Sequence, residues 1–226
     1  ELIDISKGSF KIIYNFLLME KSVTIRIWEQ KWRDELNKEN LNWDNIWNNI
    51  NEKMFNYKIQ SSIWEMVHRN FISGYILKQM HKSDGICKLC KKIERQRTHI
   101  FMKCNVILQL YRYFLVLLKR CDSRDITEEE KAFGIYEQRN PNINLRNYIT
   151  FVIRHIVYRN RNLTYNSGEN ILTIMINKVN FYIRKDLLEK FNTAKYNNEI
   201  QHFKAKYLIG EFLGKIRNNE IEITVN

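Results

Sequence analysis

Residues 84–104 read Asp84-Gly85-Ile86-Cys87-Lys88-Leu89-Cys90-Lys91-Lys92-Ile93-Glu94-Arg95-Gln96-Arg97-Thr98-His99-Ile100-Phe101-Met102-Lys103-Cys104. Three of the four cysteines lie here, with His99 between the second and third, in the spacing C-x2-C-x8-H-x4-C. Thiolates and an imidazole at such short separations suit one tetrahedral Zn2+ ion. No basic segment followed by an apolar run marks the start as a secretory signal, so these cysteines read as metal ligands rather than disulfide partners. Cys87 and Cys90 are expected from one turn, opened by Gly85, and His99 and Cys104 from a loop running into the next helix. Ile100 and Phe101 are expected to pack beneath the site. With Cys87, Cys90, His99 and Cys104 all bound, no position remains for water or substrate, so the zinc would be structural.

Working outward, the rest reads as helical scaffold, and the fold class as mostly α. One proline and seven glycines in 226 residues leave few helix breakers. Apolar spacing predicts helices over 6–20 and 22–36, the second capped by Ser22 with Ile25, Trp28, Trp32 and Leu36 on one face. Asn42 should cap a helix over 43–53. A helix over 57–81 is expected to be interrupted at Ser73-Gly74. After the knuckle, helices are predicted over 105–119, from the Thr127/Glu130 capping box toward Tyr136, from Asn142 or Asn144 to 162, over 171–191 and over 195–217. On the 105–119 helix the apolar side is read as Val106, Leu110, Tyr113, Phe114, Leu117 and Leu118. Asn166-Ser167-Gly168 reads as a turn, and residues 220–225 alternate like a short strand or an extended tail. The organisation expected is an N-terminal helical segment (1–81), the knuckle and following helices (82–140), and a C-terminal helical segment (141–226). Arg139-Asn140-Pro141 marks the last boundary. Tryptophans at helical spacing read as packing residues, His68 as half-buried and hydrogen-bonded, and Cys121 as a small buried hydrophobe.

The net charge of +12 is unevenly spread. Residues 81–120 hold ten Lys/Arg against two Asp/Glu, whereas residues 1–80 are nearly neutral and 121–141 are acidic. Basicity concentrated on and after the knuckle points to a polyanion, and nucleic acid is the usual one. The candidate contacts are Lys88, Lys91, Lys92, Arg95, Arg97 and Lys103, followed by Arg154, Tyr158 and Arg161, which share a helix face, and Arg69. The acids at 122–130 suit a helix N-terminus better than a nuclease centre, and no catalysis is expected of the chain itself. No run of 18 apolar residues predicts a membrane partner. The chain opens at Glu1 rather than Met, which points to a piece of something longer.

From Trp32 to Cys104 the chain resembles the C-terminal region of LINE-type (non-LTR) retrotransposon reverse transcriptases. The resemblance rests on Lys31-Trp32-Arg33, Trp43 to Trp47, His68-Arg69-Asn70-Phe71-Ile72-Ser73, Leu77, and the Cys87/Cys90/His99/Cys104 knuckle with Ile100-Phe101. The helix ending Ile156-Val157-Tyr158-Arg159-Asn160-Arg161 is similar to the segment that follows the knuckle in that family. One departure is Gln96-Arg97-Thr98 where a Glu-Thr pair is common, which leaves the ligands untouched. The resemblance implies a region that follows an RNA-directed DNA polymerase core and holds template RNA, target DNA or their hybrid during target-primed reverse transcription. It also implies a ribonucleoprotein location in nucleus or cytoplasm, with that polymerase core as partner. The rival expectations are a domesticated or split fragment serving as a protein-interaction subunit, and an independent nuclease.

Overall fold

The computed structural model of the chain describes residues 27–163, 165 and 169–224. It is mostly α, about 62% helical, and the sheet among the described residues has two short strands. The helix expected at 6–20, the Ser22 cap with Ile25, and the turn at 166–168 fall outside the described residues. The chain forms two compact units, Glu1–Leu41 and Asn42–Asn226. The segments expected at 82–140 and 141–226 therefore belong to one unit, which begins at Asn42. In the first unit, α1 (Ile27–Leu36) buries Trp32.

The second unit opens as the sequence suggests. Asn42 caps α2 (Trp43–Ile50), its side chain accepting the Asn45 N–H at 3.0 Å. Asn56 caps α3 (Tyr57–Val67) through the Ile59 N–H at 3.1 Å. α3 stops a turn before Phe71, because Arg69 adopts a left-handed φ of 56° and the Asn70 N–H reaches back to the Glu65 carbonyl at 2.7 Å. Ser73 then caps α4 (Gly74–Gln79), so Ser73-Gly74 starts a helix rather than merely breaking one.

α5 (Asn105–Cys121) and α6 (Glu128–Phe133) follow the knuckle. α5 buries Ile107, Leu110, Tyr111, Phe114, Leu118 and Cys121. The expected face was rotated. Tyr113 is exposed, and Val106 and Leu117 are half-buried, because this nearly continuous apolar run offers two competing stripes at helical spacing. Asn140 caps α7 (Pro141–Asn160), with Pro141 in the first turn, where a missing N–H costs nothing. That places the helix start before Asn142. α3, α5 and α8 (Ile171–Tyr196) pack around α7, and α9 (Ile200–Tyr207) packs on α8.

The long helix expected over 195–217 does not form. Asn198, at φ 60°, follows the end of α8, and a 3-10 turn at Ile209–Glu211 follows α9. Beyond it, β1 (Gly214–Arg217) pairs antiparallel with β2 (Glu220–Ile223), Gly214 opposite Ile223. Asn218 and Asn219 both have positive φ, 49° and 59°, which is what a two-residue hairpin turn of right-handed twist requires and what asparagine tolerates.

α7 is buried on nearly every side, and several of its polar side chains find protein partners, although Thr150 Oγ1 and Arg154 Nε are buried without one among the described residues. Arg146, fully buried, forks onto Glu130 at 2.6 and 2.8 Å and also donates to the carbonyls of Leu118, Asp122 and Arg124. The Thr127/Glu130 capping box is therefore half made. Thr127 Oγ1 accepts the Glu130 N–H at 3.0 Å, while the carboxylate goes to Arg146. Asn147 Nδ2 donates to Asn49 Oδ1 at 2.9 Å and to the Ile135 carbonyl at 2.8 Å. The Tyr148 hydroxyl donates to Asp186 at 2.6 Å.

Candidate metal centre

The knuckle begins as a tight hairpin. The Cys87 N–H donates to the Lys92 carbonyl and the Lys91 N–H to the Cys87 carbonyl, both at 2.9 Å, with Ile86 bridging Ile93 across the loop. Gly85 enters at φ 76°, and a Cβ there would lie 2.8 Å from the Lys78 side chain, so glycine answers both demands. The second ligand pair does not come from a loop. His99–Lys103 is one π-helical turn, closed by the Cys104 N–H on the His99 carbonyl at 2.7 Å. A π turn brings residues five apart one above the other, so the x4 spacing places His99 and Cys104 on one side. Cys104 is also the residue from which α5 departs.

The Cys87 and Cys104 sulfurs lie 4.0 Å apart, and Cys90 Sγ lies 3.3 Å from His99 Nε2. All four donor atoms fall within 4.8 Å of one another. A tetrahedral site with a Zn–S bond of roughly 2.3 Å needs sulfurs about 3.8 Å apart. The Cys87–Cys104 separation is close to that value, and this Cys3His group could hold a metal ion. Backbone N–H groups already support the thiolates: those of Leu89 and Cys90 serve Cys87, that of Lys92 serves Cys90, and that of Ile107 serves Cys104. As bare thiols, Cys87 and Cys104 share a proton unequally. The hydrogen bond from Cys104 holds Cys87 down, to about 4, and the same bond, with burial, pushes Cys104 up. Burial also raises Cys90.

The floor of the knuckle is apolar as expected. Ile100 and Phe101 are buried, and Phe101 meets Phe71 edge-on at 5.1 Å. Sequence reasoning missed Glu94, which reads as a solvated acid among lysines. It is buried, and its carboxylate accepts the Tyr75 N–H at 3.1 Å. Burial raises its pKa. Gly74 lets it sit close, since a Cβ there would stand 3.1 Å from the carboxyl group and the carboxylate would have to shift slightly. Glu94 thus ties α4 to the hairpin that carries the cysteines.

The expected basic contacts separate into three groups. Lys88, Lys91, Lys92 and Arg95 are exposed and make no ion pair among the described residues. Lys103 is exposed but pairs with Glu128 at 2.8 Å, and half-buried Arg97 turns its guanidinium onto the Arg69 carbonyl. Arg154 is a correction. It is 1% exposed, donates to the Ala132 carbonyl and stands 5.8 Å from the Phe101 ring, so it props the core under the knuckle instead of facing solvent. Tyr158 and Arg161 are half-buried, Tyr158 donating to Glu65 while Arg161 lies over its ring at 3.9 Å. Arg154 and its neighbours do not form the open face that their spacing suggested, because α7 is covered on several sides at once. His68 is half-buried, with Nδ1 2.9 Å from the Trp64 carbonyl and its ring stacked on Trp47 at 5.1 Å. Cys121 is buried, which pushes its thiol up to about 12.

No helix among the described residues is long and apolar enough to cross a membrane. A scan against protein-family models, a search of curated proteins and a search of solved structures found no match to this chain.

Proposed function

We propose that the chain is a zinc-stapled, non-catalytic nucleic-acid-binding region. The carrying observation is the closed Cys87/Cys90/His99/Cys104 group with Lys88, Lys91, Lys92 and Arg95 exposed on the loop that the first two ligands shape. Zinc is the metal of choice because a set of three thiolates and an imidazole suits it and disfavours hard, oxygen-seeking cations. When bound, it would supply shape rather than chemistry, since four protein donors fill its coordination sphere. The four cations would meet backbone phosphates, giving salt-sensitive binding of little sequence preference. The resemblance to LINE-type reverse transcriptases supplies an occasion: holding template RNA, target DNA or their hybrid beside a polymerase core in a nuclear or cytoplasmic ribonucleoprotein.

Fluorescence anisotropy with labelled RNA and DNA tests this reading. The expected result is binding that weakens linearly in log salt, with the slope falling by about 0.7–0.9 for each phosphate contact removed by reversing Lys88, Lys91, Lys92 or Arg95 to Glu. Absence of salt-sensitive binding by the metal-loaded chain would overturn it and favour a protein-interaction subunit. Metal analysis should give one zinc per chain.

A further inference from the structure

Away from the knuckle, α3, α7 and α8 frame two adjoining clefts. One, of about 470 Å3, is lined by Tyr57, Lys58, Ser62, His155 and Arg159 among others, and the second, of about 380 Å3, by Ile174, Lys178 and Phe181. They share Ile156 and Tyr182 in their linings, so they adjoin, and the pair is called the groove. Tyr57, which lines the first cleft, is 73% exposed and Phe181, which lines the second, 68%; the Lys58 ammonium lies 5.8 Å from the Tyr57 ring centroid. Lys58 and Arg159 are exposed and make no ion pair among the described residues. The one carboxylate in the larger cleft, Glu65, is taken by the Tyr158 hydroxyl. At the buried floor, the Ser62 hydroxyl donates to the Lys58 carbonyl at 2.9 Å and lies 2.7 Å from His155 Nδ1. With that hydroxyl proton committed, His155 Nδ1–H is the donor of the pair and Nε2 keeps a lone pair.

Exposed rings in a cleft with cations that have no carboxylate partner match a single strand. Flat bases stack on aromatic faces, and phosphates follow the cations. An apolar protein partner would instead require Lys58 and Arg159 to be stripped of water without a counter-charge. We propose that this groove holds consecutive unstacked nucleotides of single-stranded RNA or DNA, with bases against Tyr57 and Phe181 and phosphates at Lys58 and Arg159. The proposal rests on the nucleic-acid reading above but assigns the single strand to a surface separate from the knuckle cations.

The test uses the full, metal-loaded chain with labelled oligouridine, oligothymidine and a duplex of equal length. Tyr57→Ala and Phe181→Ala are each expected to weaken single-strand binding about tenfold, the middle of the range for losing one stacked base, and to leave duplex binding within about twofold. Lys88→Glu with Lys91→Glu should weaken both. Equal losses for the two oligonucleotides support the shared chemistry, and a loss with one alone supports the groove and identifies its strand type. If the wild type binds while the Tyr57→Ala/Phe181→Ala double variant matches it on single strands, the groove assignment falls and the knuckle reading stands. If the wild type binds no nucleic acid, both fall. A dimer in light scattering that Phe181→Ala abolishes would give the groove to a second copy of the chain and overturn the assignment.

Discussion

The knuckle and the core around α7 solve the same problem by opposite means. Between Gly85 and Cys104 the apolar side chains that are buried (Leu89, Ile100, Phe101, Met102) are few, and the loop is also held by turns and by the Glu94 carboxylate and carries a donor group that could hold a metal. Around α7 there is ample apolar volume, and three of the polar groups within it are matched by other protein groups, Arg146 by Glu130, Asn147 by Asn49, Tyr148 by Asp186. The knuckle's key contacts span fewer than twenty residues, whereas Asn147 and Asn49 meet across 98. A short metal-binding loop can therefore be specified by spacing alone. A buried polar network needs elements that only folding brings together.

This contrast can be broken most sharply at the metal. Binding a structural zinc is worth on the order of 10 kcal/mol in isolated fingers. Chelation, or Cys104→Ala, is expected to abolish hydrogen-exchange protection of amides in 86–104 while those of α7 remain protected. Equal loss in both regions would show that the knuckle and the core are one cooperative unit.

The next effect lies in the core. Arg146→Met leaves the Glu130 carboxylate buried without its partner and should cost about 3–5 kcal/mol, read as a lower urea midpoint. Replacing both residues, Arg146→Met with Glu130→Met, should recover most of that loss. A double variant as unstable as the single one would mean that the carbonyls of Leu118, Asp122 and Arg124 are the guanidinium's main clients.

Acid separates the regions differently. His155 is held down to about 4, first by burial and then by Arg159 and Lys58, with Asp186 opposing. Its folded value lies below the ordinary 6.5. The unfolded chain therefore binds the extra proton between these limits, and the stability present above pH 6.5 is lost as pH falls toward 4. The loss is expected to reach about 3 kcal/mol, and His155→Gln should flatten this limb of a pH–urea series. The knuckle is acid-sensitive for another reason, because protons compete with metal for its thiolates and imidazole. Zinc release monitored alongside unfolding distinguishes the two.

The smallest effect is expected at the hairpin. Asn219→Ala places a Cβ-bearing residue without asparagine's local compensation at φ 59° and should cost about 1 kcal/mol. Thermal melts read this directly. No change would mean that the β1–β2 pair contributes little to the unit.

Much of the helical layout was legible because apolar spacing and capping residues are local signals. Asn42, Ser73 and Thr127 each cap the helix that follows them. The failures were also local ambiguities resolved from outside. The apolar run of α5 supports two faces, and packing chose the one containing Tyr111. The residues at 208–217 carry enough apolar positions to extend a helix, yet the Asn218-Asn219 turn and pairing with β2 turned them into a 3-10 turn and a strand. Arg154 looked like a surface contact because Tyr158 and Arg161 follow it at i+4 and i+7 on one face, and sequence spacing cannot reveal that α7 is covered on several sides.

By itself the sequence determined the Cys3His group that could hold a metal and the mostly helical class, since both depend on separations of a few residues along the chain. Only the tertiary structure decided which cations remain in water, which guanidinium groups are spent inside, and that Tyr57 and Arg159 line a cleft adjoining the one lined by Phe181. Those outcomes depend on which faces of α3, α7 and α8 are covered. Burial is a property of assembled helices, and no single segment carries it.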